Sequence, residues 1–502
     1  MPPPFKSSPI EFKQSLLFPA NIFDLLDDSH ECYLYAELFE QLDSSKLEAQ
    51  YSPLGQHAYH PKLIISILIF AYSQGVFSAR QIQKRCNEDL SFMYIAQRNC
   101  PNFRVLNDFR KDNAEYFHAC FKQTVQLAIE LKLASLGHIS LDGSKFKANS
   151  SKHKAMSYQR LKESEASLSQ EIDALIQQAN QCDEEEDQLY KDRTGFELPE
   201  DLKFKTTRLE KIKAARQAIE DREQAINPGK AIDGKKQISF ADKEARIMGK
   251  RGDRFEYAYN AQISVDKDHQ IIVGQHISQQ ANDKQEVEPA LESLQATTGR
   301  LPSMMSLDNG YMSADNLEAL ENARVDAYIA TDRGEKPGQT QLDESTRKLV
   351  KADFEYDASD DCFNCPGGQK LTLVKKGKRD RVYQGDAAIC NQCKYRDRCC
   401  QSSKGHARTI TTDDKEAIRQ SMNKKMQQAD AKEVYRHRKT IVEPKFGHIK
   451  NGGFLGFSLR GLEKVAGEFS LVCAVHNIKK IIKLKMTGQI PLQSGQMAAL
   501  AT

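Results

Sequence analysis

Between residues 61 and 111 apolar side chains recur at helical intervals, with Leu63, Ile67 and Phe70 on one stripe, a Gly-containing break at Gln74 and Gly75, and a new start at Ser78. The stretch is expected to be all helical. SARQIQKRC, at 78–86, reads as a short N-capped helix exposing Arg80, Gln81, Lys84 and Arg85, either a face for DNA or a plain solvated surface. Further on the period changes to two. HISLD, at 138–142, reads as a short buried strand ending in Asp142, after which Gly143 lets the chain turn. YAYNAQISV, at 257–265, alternates apolar and polar residues, and with the turn at 266–269 and a second strand at 270–277 it predicts a hairpin. Asn282 and Asp283 stand where they can cap a helix carrying Val287, Leu291 and Leu294 on one face. Residues 304–308 form another strand ending in a carboxylate, Asp308, followed by a helix at 314–322 and a short strand at 327–330. This order of elements predicts a mixed sheet with helices on its faces, an α/β architecture preceded by an all-helical domain.

Residues 158–226 interrupt that order with a charged, Gln-rich stretch. Its apolar positions are Leu168, Ile172, Leu175 and Ala179, then Leu209, Ile212, Ile219 and Ile226. The spacing predicts two helices in a coiled hairpin, separated near 195–199 and stopped by Asn227, Pro228 and Gly229. Near the C-terminus Leu462, Val465, Phe469, Val472 and His476 make one helical stripe suited to core packing.

With 502 residues the chain is too long for one ordinary core, so two or three folded units are expected. Its longest apolar run, 63–72, is about half of the ~20 residues a membrane span needs, and residues 1–9 carry no secretion signal, which points to the cytoplasm. The net charge of +3, from 72 basic and 69 acidic residues, neither demands nor excludes a polyanionic partner. Its distribution says more: basic residues gather at 145–154, 375–408 and 436–450, and acidic ones at 183–187.

Asp142 and Asp308 are far apart in sequence but become neighbours if their strands are adjacent. Phosphoryl transfer by a pair of Mg²⁺ ions about 3.5–4 Å apart needs such a set of hard oxygen ligands. A third acid, Glu443, lies in YRHRKTIVEPKFGHIK at 435–450, with bases on either side and Lys450 seven residues later on the same helical face. Pro444 favours a first helical turn and disfavours helix for the residue before it, so Glu443 is expected at a helix start or kink with its side chain exposed. Bases around a metal-binding acid make sense if the ligand is a phosphate backbone.

The segments LDGSKFKANSS, SLDNGY and YRHRKTIVEPKFGHIK resemble the catalytic motifs of DDE-type transposases of bacterial insertion sequences, spread over 138–477. The N-terminal HPKLIISILIFAYSQGVFSARQIQKRC and CPNFRVLNDFR are similar to the helical domain that precedes the catalytic core in that family. By this resemblance Asp142, Asp308 and Glu443 are the catalytic acids, and the fold is RNase H-like. The resemblance also implies Mg²⁺ or Mn²⁺, two per site, with hydrolysis at the element's ends followed by attack of the freed 3′ hydroxyl on target DNA. Lys145, Lys147, Tyr435, Arg436, Arg438, Lys439 and Lys450 would then hold DNA. The family form often leaves three residues between the base and the acid, where Arg438 leaves four and Lys439 stands at the expected place, so either can take that role. Double-stranded DNA, as transposon ends and target, is the implied partner, and a homodimer is implied because two ends are paired.

Six of the twelve cysteines fall between Cys362 and Cys400. Cys362 with Cys365, and Cys390 with Cys393, form two CxxC pairs 24 residues apart, a spacing that predicts a structural Zn²⁺ ribbon with Cys399 or Cys400 as an alternative ligand. The expected layout is a helical DNA-binding domain at 1–130, an RNase H-like catalytic domain at 131–486, a helical-hairpin insertion at 157–228, a zinc-ribbon-like insertion at 350–408 and a flexible tail at 487–502. Two other readings compete with the transposase: an RNase H-like endonuclease that cuts without joining, and a catalytically inactive DNA-binding relative.

Overall fold

The computed structural model describes residues 21–40, 44–51, 58–150, 155–189, 200–250, 254–330, 348–377, 380–400 and 405–490, without the side chains of 175–203, 250 and 352. The expected hairpin break at 195–199, the side chains of the acidic run at 183–187, Lys378, Arg379 and the tail from 491 lie outside the described residues. The chain divides into two compact units, Met1–Asn113 with Ile478–Thr502, and Ala114–Asn477.

The first unit is helical. Pro61–Ser73 opens with Pro at its first turn and buries every residue except Lys62 and Leu63, so it is a central helix covered on all sides. Phe70 meets the rings of Tyr35 and Phe92 edge to face, with centroids 5.4 and 5.0 Å away. The helix ends at Gln74, and Gly75 continues at φ +73°, a left-handed conformation that glycine adopts without strain. Ala79–Glu88 buries Ala79, Ile82 and Cys86 and exposes Arg80, Gln81, Lys84 and Arg85, although Ser78 makes no side-chain cap bond.

The second unit holds a six-stranded mixed sheet. Its strands are β1 (His138–Lys147), β4 (Arg246–Lys250), β5 (Arg254–Asp266), β6 (Ile272–Ser278), β7 (Met304–Leu307) and β8 (Asp326–Ile329). The order is β4-β5-β1-β7-β8, with β6 sharing the β4 edge of β5. β1 and β5 are antiparallel, while β7 and β8 follow β1 in parallel. The helices Val287–Thr298 and Ala314–Asn322 connect the strands, as the alternation of patterns predicts. Two short strands, β2 (Ala155–Ser157) and β3 (Gln237–Ser239), pair at the base of the helices Tyr158–Leu189 and Glu200–Ile226. Leu161, Leu168, Ile212 and Ile219 fill the seam between those helices, but Ile226 lies beyond it and is 62% exposed. A five-stranded antiparallel sheet follows, from β9 (Glu355–Asp357) and β10 (Cys362–Asn364) to β11 (Lys370–Lys376), β12 (Arg381–Gln384) and β13 (Thr409–Thr412). Among the described residues no helix is long and apolar enough to cross a membrane.

One expectation is corrected at β1. The strand does not stop at Asp142, nor does the chain turn at Gly143, because β5 pairs with β1 without a break as far as Lys147. Only the pairing with β7 ends there, at Leu141 opposite Leu307. Asp142 and Asp308 are therefore the next residues on two adjacent parallel strands. Gly143 is needed for space: a Cβ there would overlap the Gln262 amide, 2.9 Å from its Cδ.

Candidate active site

Three elements deliver the three acids. Asp142 comes from mid-β1, Asp308 from the residue after β7, and Glu443 from the first residue of the helix Glu443–Asn451, with Pro444 in its first turn. Period two along β1 puts Asp142, Ser144 and Phe146 on one face, and helical spacing does the same for Glu443, Phe446 and Lys450. These faces are matched. Phe146 packs on Phe446, Phe454, Phe457 and Phe469 with ring centroids 5.4–6.0 Å away. Lys450 Nζ donates to Ser144 Oγ at 2.5 Å. The aromatic cluster thus fixes the helix along β1, and its first residue, Glu443, meets the same guanidinium as Asp142, that of Arg438.

Arg438 sits among the acids. Its side chain is 8% exposed, and its guanidinium lies 3.8 Å from Asp142, 4.0 Å from Asp308 and 3.4 Å from Glu443. Nε and Nη1 are buried and make no hydrogen bond, a costly state for strong donors unless a ligand accepts from them. Burial pulls the Arg438 pKa down, but the charges of Asp142 and Asp308 and the Tyr435 hydroxyl outweigh it and the net shift is upward. Asp142 moves the other way for an acid. Burial raises it from 3.8 to about 6, against the pull of Arg438 and with help from Asp308 and Asp283. Tyr435 is half-buried beneath Arg438, and burial raises its hydroxyl.

Of the two candidate bases, the structure brings Arg438 to the acids and leaves Lys439 exposed. Lys147 is exposed, and Arg436, 81% exposed, pairs with Glu433. Lys145 donates to the Gly249 carbonyl at 3.2 Å.

Sequence reasoning missed a polar layer behind the acids. Asn260 and Gln262 of β5 are buried and both donate to Asp283 Oδ1, at 2.8 and 2.7 Å. Tyr311 donates its hydroxyl to Gln262 Oε1. The signal was in YAYNAQISV, where two amides stand two residues apart on a strand buried on both sides. Asp283 does not cap the following helix, whose N-cap is Glu286.

The cysteines separate into two groups. β10 is extended, so Phe363 and Cys365 face the core of their sheet while Cys362 points to the other side. Cys362 Sγ and the carboxylates of Asp357 and Asp360 place ligand atoms within 4.8 Å of one another. Cys365, Cys390, Cys393, Cys399 and Cys400 instead line one cavity of about 40 Å³. Backbone N–H groups of Gln369 and Tyr395 point at the sulfurs of Cys365 and Cys393, at 3.3 and 3.4 Å. The expected quartet with Cys362 is therefore not brought together.

A mixed sheet carrying three converging acids, with a helical region before it, is consistent with an RNase H-like transposase. Two family models match the chain: a transposase domain (DUF772) over residues 20–112 and a transposase DDE domain over 364–482. Together they support a DDE-type transposase of insertion sequences. Glu443 lies inside the second match, and Asp142 and Asp308 lie outside it. No curated protein and no solved structure matches the chain.

Proposed function

We propose that the chain binds the ends of an insertion sequence and catalyses metal-dependent strand cleavage and strand transfer, with Asp142, Asp308 and Glu443 as its catalytic acids. The observation that carries this is the gathering of three carboxylates from three elements around one buried arginine, at 3.4–4.0 Å. The donor set fits a hard divalent cation: all three are carboxylates, and burial makes ionisation of Asp142 less favourable even beside Arg438, a cost that a bound cation would offset. Asp142, Asp308 and Glu443 would hold Mg²⁺ or Mn²⁺, which supplies Lewis-acid activation of the attacking oxygen and neutralises charge on the phosphate.

The chain's own part is positioning. The free donors of Arg438 are suited to oxygens of the scissile phosphate, where a buried guanidinium acts more strongly than one in water. Lys450 and Tyr435 stand around the acids, Lys145 lies on the other face of β1 against the Gly249 carbonyl, and Lys147, Arg436 and Lys439 offer exposed positions for the phosphate backbone. In the first unit the exposed bases of Ala79–Glu88 are suited to the same sequence-independent contact. Joining requires two ends held together, so the acting species is a homodimer on double-stranded DNA.

In the Cys-rich segment we assign structural Zn²⁺ to Cys365, Cys390 and Cys393 with Cys399 or Cys400. The shared cavity and the N–H groups aimed at two of the sulfurs support this set over one containing Cys362.

The test is cleavage of duplexes carrying the repeats that flank the coding region, in Mn²⁺. The wild-type chain is expected to release a 3′ hydroxyl at the element's end, and Asp142→Asn and Glu443→Gln are expected to bind the duplex without cutting it. Wild-type cutting by both variants overturns the assignment.

A further inference from the structure

We propose that Asp283 is a fourth carboxylate of this site and a ligand of its second divalent ion, an inference that rests on the function proposed above. Asp283 lies in the turn between β6 and the helix Val287–Thr298, and its side chain is directed back to the sheet. Asn260 and Gln262 both donate to Oδ1, which fixes the carboxylate and leaves Oδ2 on the side of Asp308. Two glycines locate it. A Cβ on Gly310, two residues after Asp308, would stand 3.2 Å from Asp283 Oδ2 and 2.8 Å from Asp308 Oδ1. A Cβ on Gly143, next to Asp142, would stand 3.0 Å from Asp283 Oδ1. Asp283 thus lies behind Asp142, on the face of β1 that Gly143 shares with Gln262, and its Oδ2 reaches round to the turn after β7 beside Asp308.

The surroundings hold it there. Gln262 joins Asp283 to the Tyr311 hydroxyl, and Asn316 Nδ2 donates to the carbonyls of Asp283 and Tyr311, at 3.3 and 2.8 Å. The turn carrying Asp283 and the turn after Asp308 are therefore locked to one another. Arg438 gives an independent sign that this space receives a ligand, since its side chain is only 8% exposed, faces Asp142 and Asp308, and leaves Nε and Nη1 unbonded. Three acids alone supply few oxygens for two ions, each of which needs about six ligands with water making up part of the set.

The test uses the full chain without DNA, counting bound Mn²⁺ from the loss of the free-ion EPR signal. Asp283→Asn keeps an oxygen for Asn260 and Gln262 and removes only the charge; Asp283→Ser is a second, smaller variant. The wild type is expected to bind two Mn²⁺ ions, and both variants to retain the first while binding the second about ten-fold or more weakly. Melting in EDTA should show both variants folded. Two ions bound at wild-type affinity in either folded variant would overturn the proposal and leave Asp283 as a tie between turns. If Asp142→Asn and Asp308→Asn also bind both ions normally, the three-acid reading itself fails; if they lose Mn²⁺ while Asp283→Asn does not, only this inference fails.

Discussion

Replacing Asp142 by Asn removes a carboxylate whose ionisation burial has made unfavourable. The shift from 3.8 to about 6 corresponds to about 3 kcal/mol at neutral pH, and with the side chain 20% exposed little of it is lost to solvent. The folded chain holds the Asp142 proton more tightly than the unfolded chain. Below pH 3.8 both states are protonated and the residue carries no penalty; the penalty grows through the interval up to about 6 and is complete above it. Asp142→Asn is isosteric, and its Oδ1 can still accept from the Gly143 N–H, now 3.0 Å from Asp142. In EDTA at pH 8 the variant is therefore expected to melt about 4 °C above the wild type for a unit the size of Ala114–Asn477, a gain that disappears near pH 3.5. Saturating Mn²⁺ should reverse the ranking: at about 1,000 times its Kd it stabilises the wild type by about 4.1 kcal/mol, more than the variant's gain, and the variant by much less. Differential scanning fluorimetry across this pH range reads both effects. A variant that melts below the wild type at pH 8 in EDTA, or a gain that persists at pH 3.5, would refute the electrostatic argument.

Phe146→Ala should cost about 3–5 kcal/mol, because it opens a cavity among four rings, and should lower cleavage more than duplex binding by loosening Glu443, which parallel melting, band-shift and cleavage assays would separate. Gly143→Ala drives a methyl group into the buried Gln262 amide and is expected to destabilise by about 1–3 kcal/mol in chemical denaturation; wild-type stability would show that the amide can yield. Metal analysis of the purified chain should find one Zn²⁺, retained in Cys362→Ser and lost in Cys365→Ser and Cys393→Ser. Loss of zinc in Cys362→Ser alone would invert the ligand assignment.

Local pattern made much of the fold legible. The hairpin of β5 and β6, the two connecting helices and the start of the helix at Glu443 follow from alternation, helical period and Pro444. What escaped depends on partners that are distant in the chain. Gly143 looks like a turn residue until β5 is known to run past it, and then its missing side chain matters only because Gln262 occupies the space. Asn282 and Asp283 have the composition of a cap, but the amides that bind Asp283 come from a strand more than twenty positions earlier. A two-residue spacer between cysteines serves one metal when it forms a tight turn. In β10 it is extended instead, and a three-residue step along a strand sends Cys362 and Cys365 to opposite faces. Arg438 illustrates the same limit, since sequence spacing favours Lys439 and only packing shows which base is buried.

The most direct test of the account is strand transfer itself. Labelled duplexes bearing the element's ends, a supercoiled target and Mg²⁺ should give a covalent end-to-target product with the wild-type chain. The account predicts that Asp308→Asn binds those ends with wild-type affinity and forms no such product. Full joining by Asp308→Asn would contradict it.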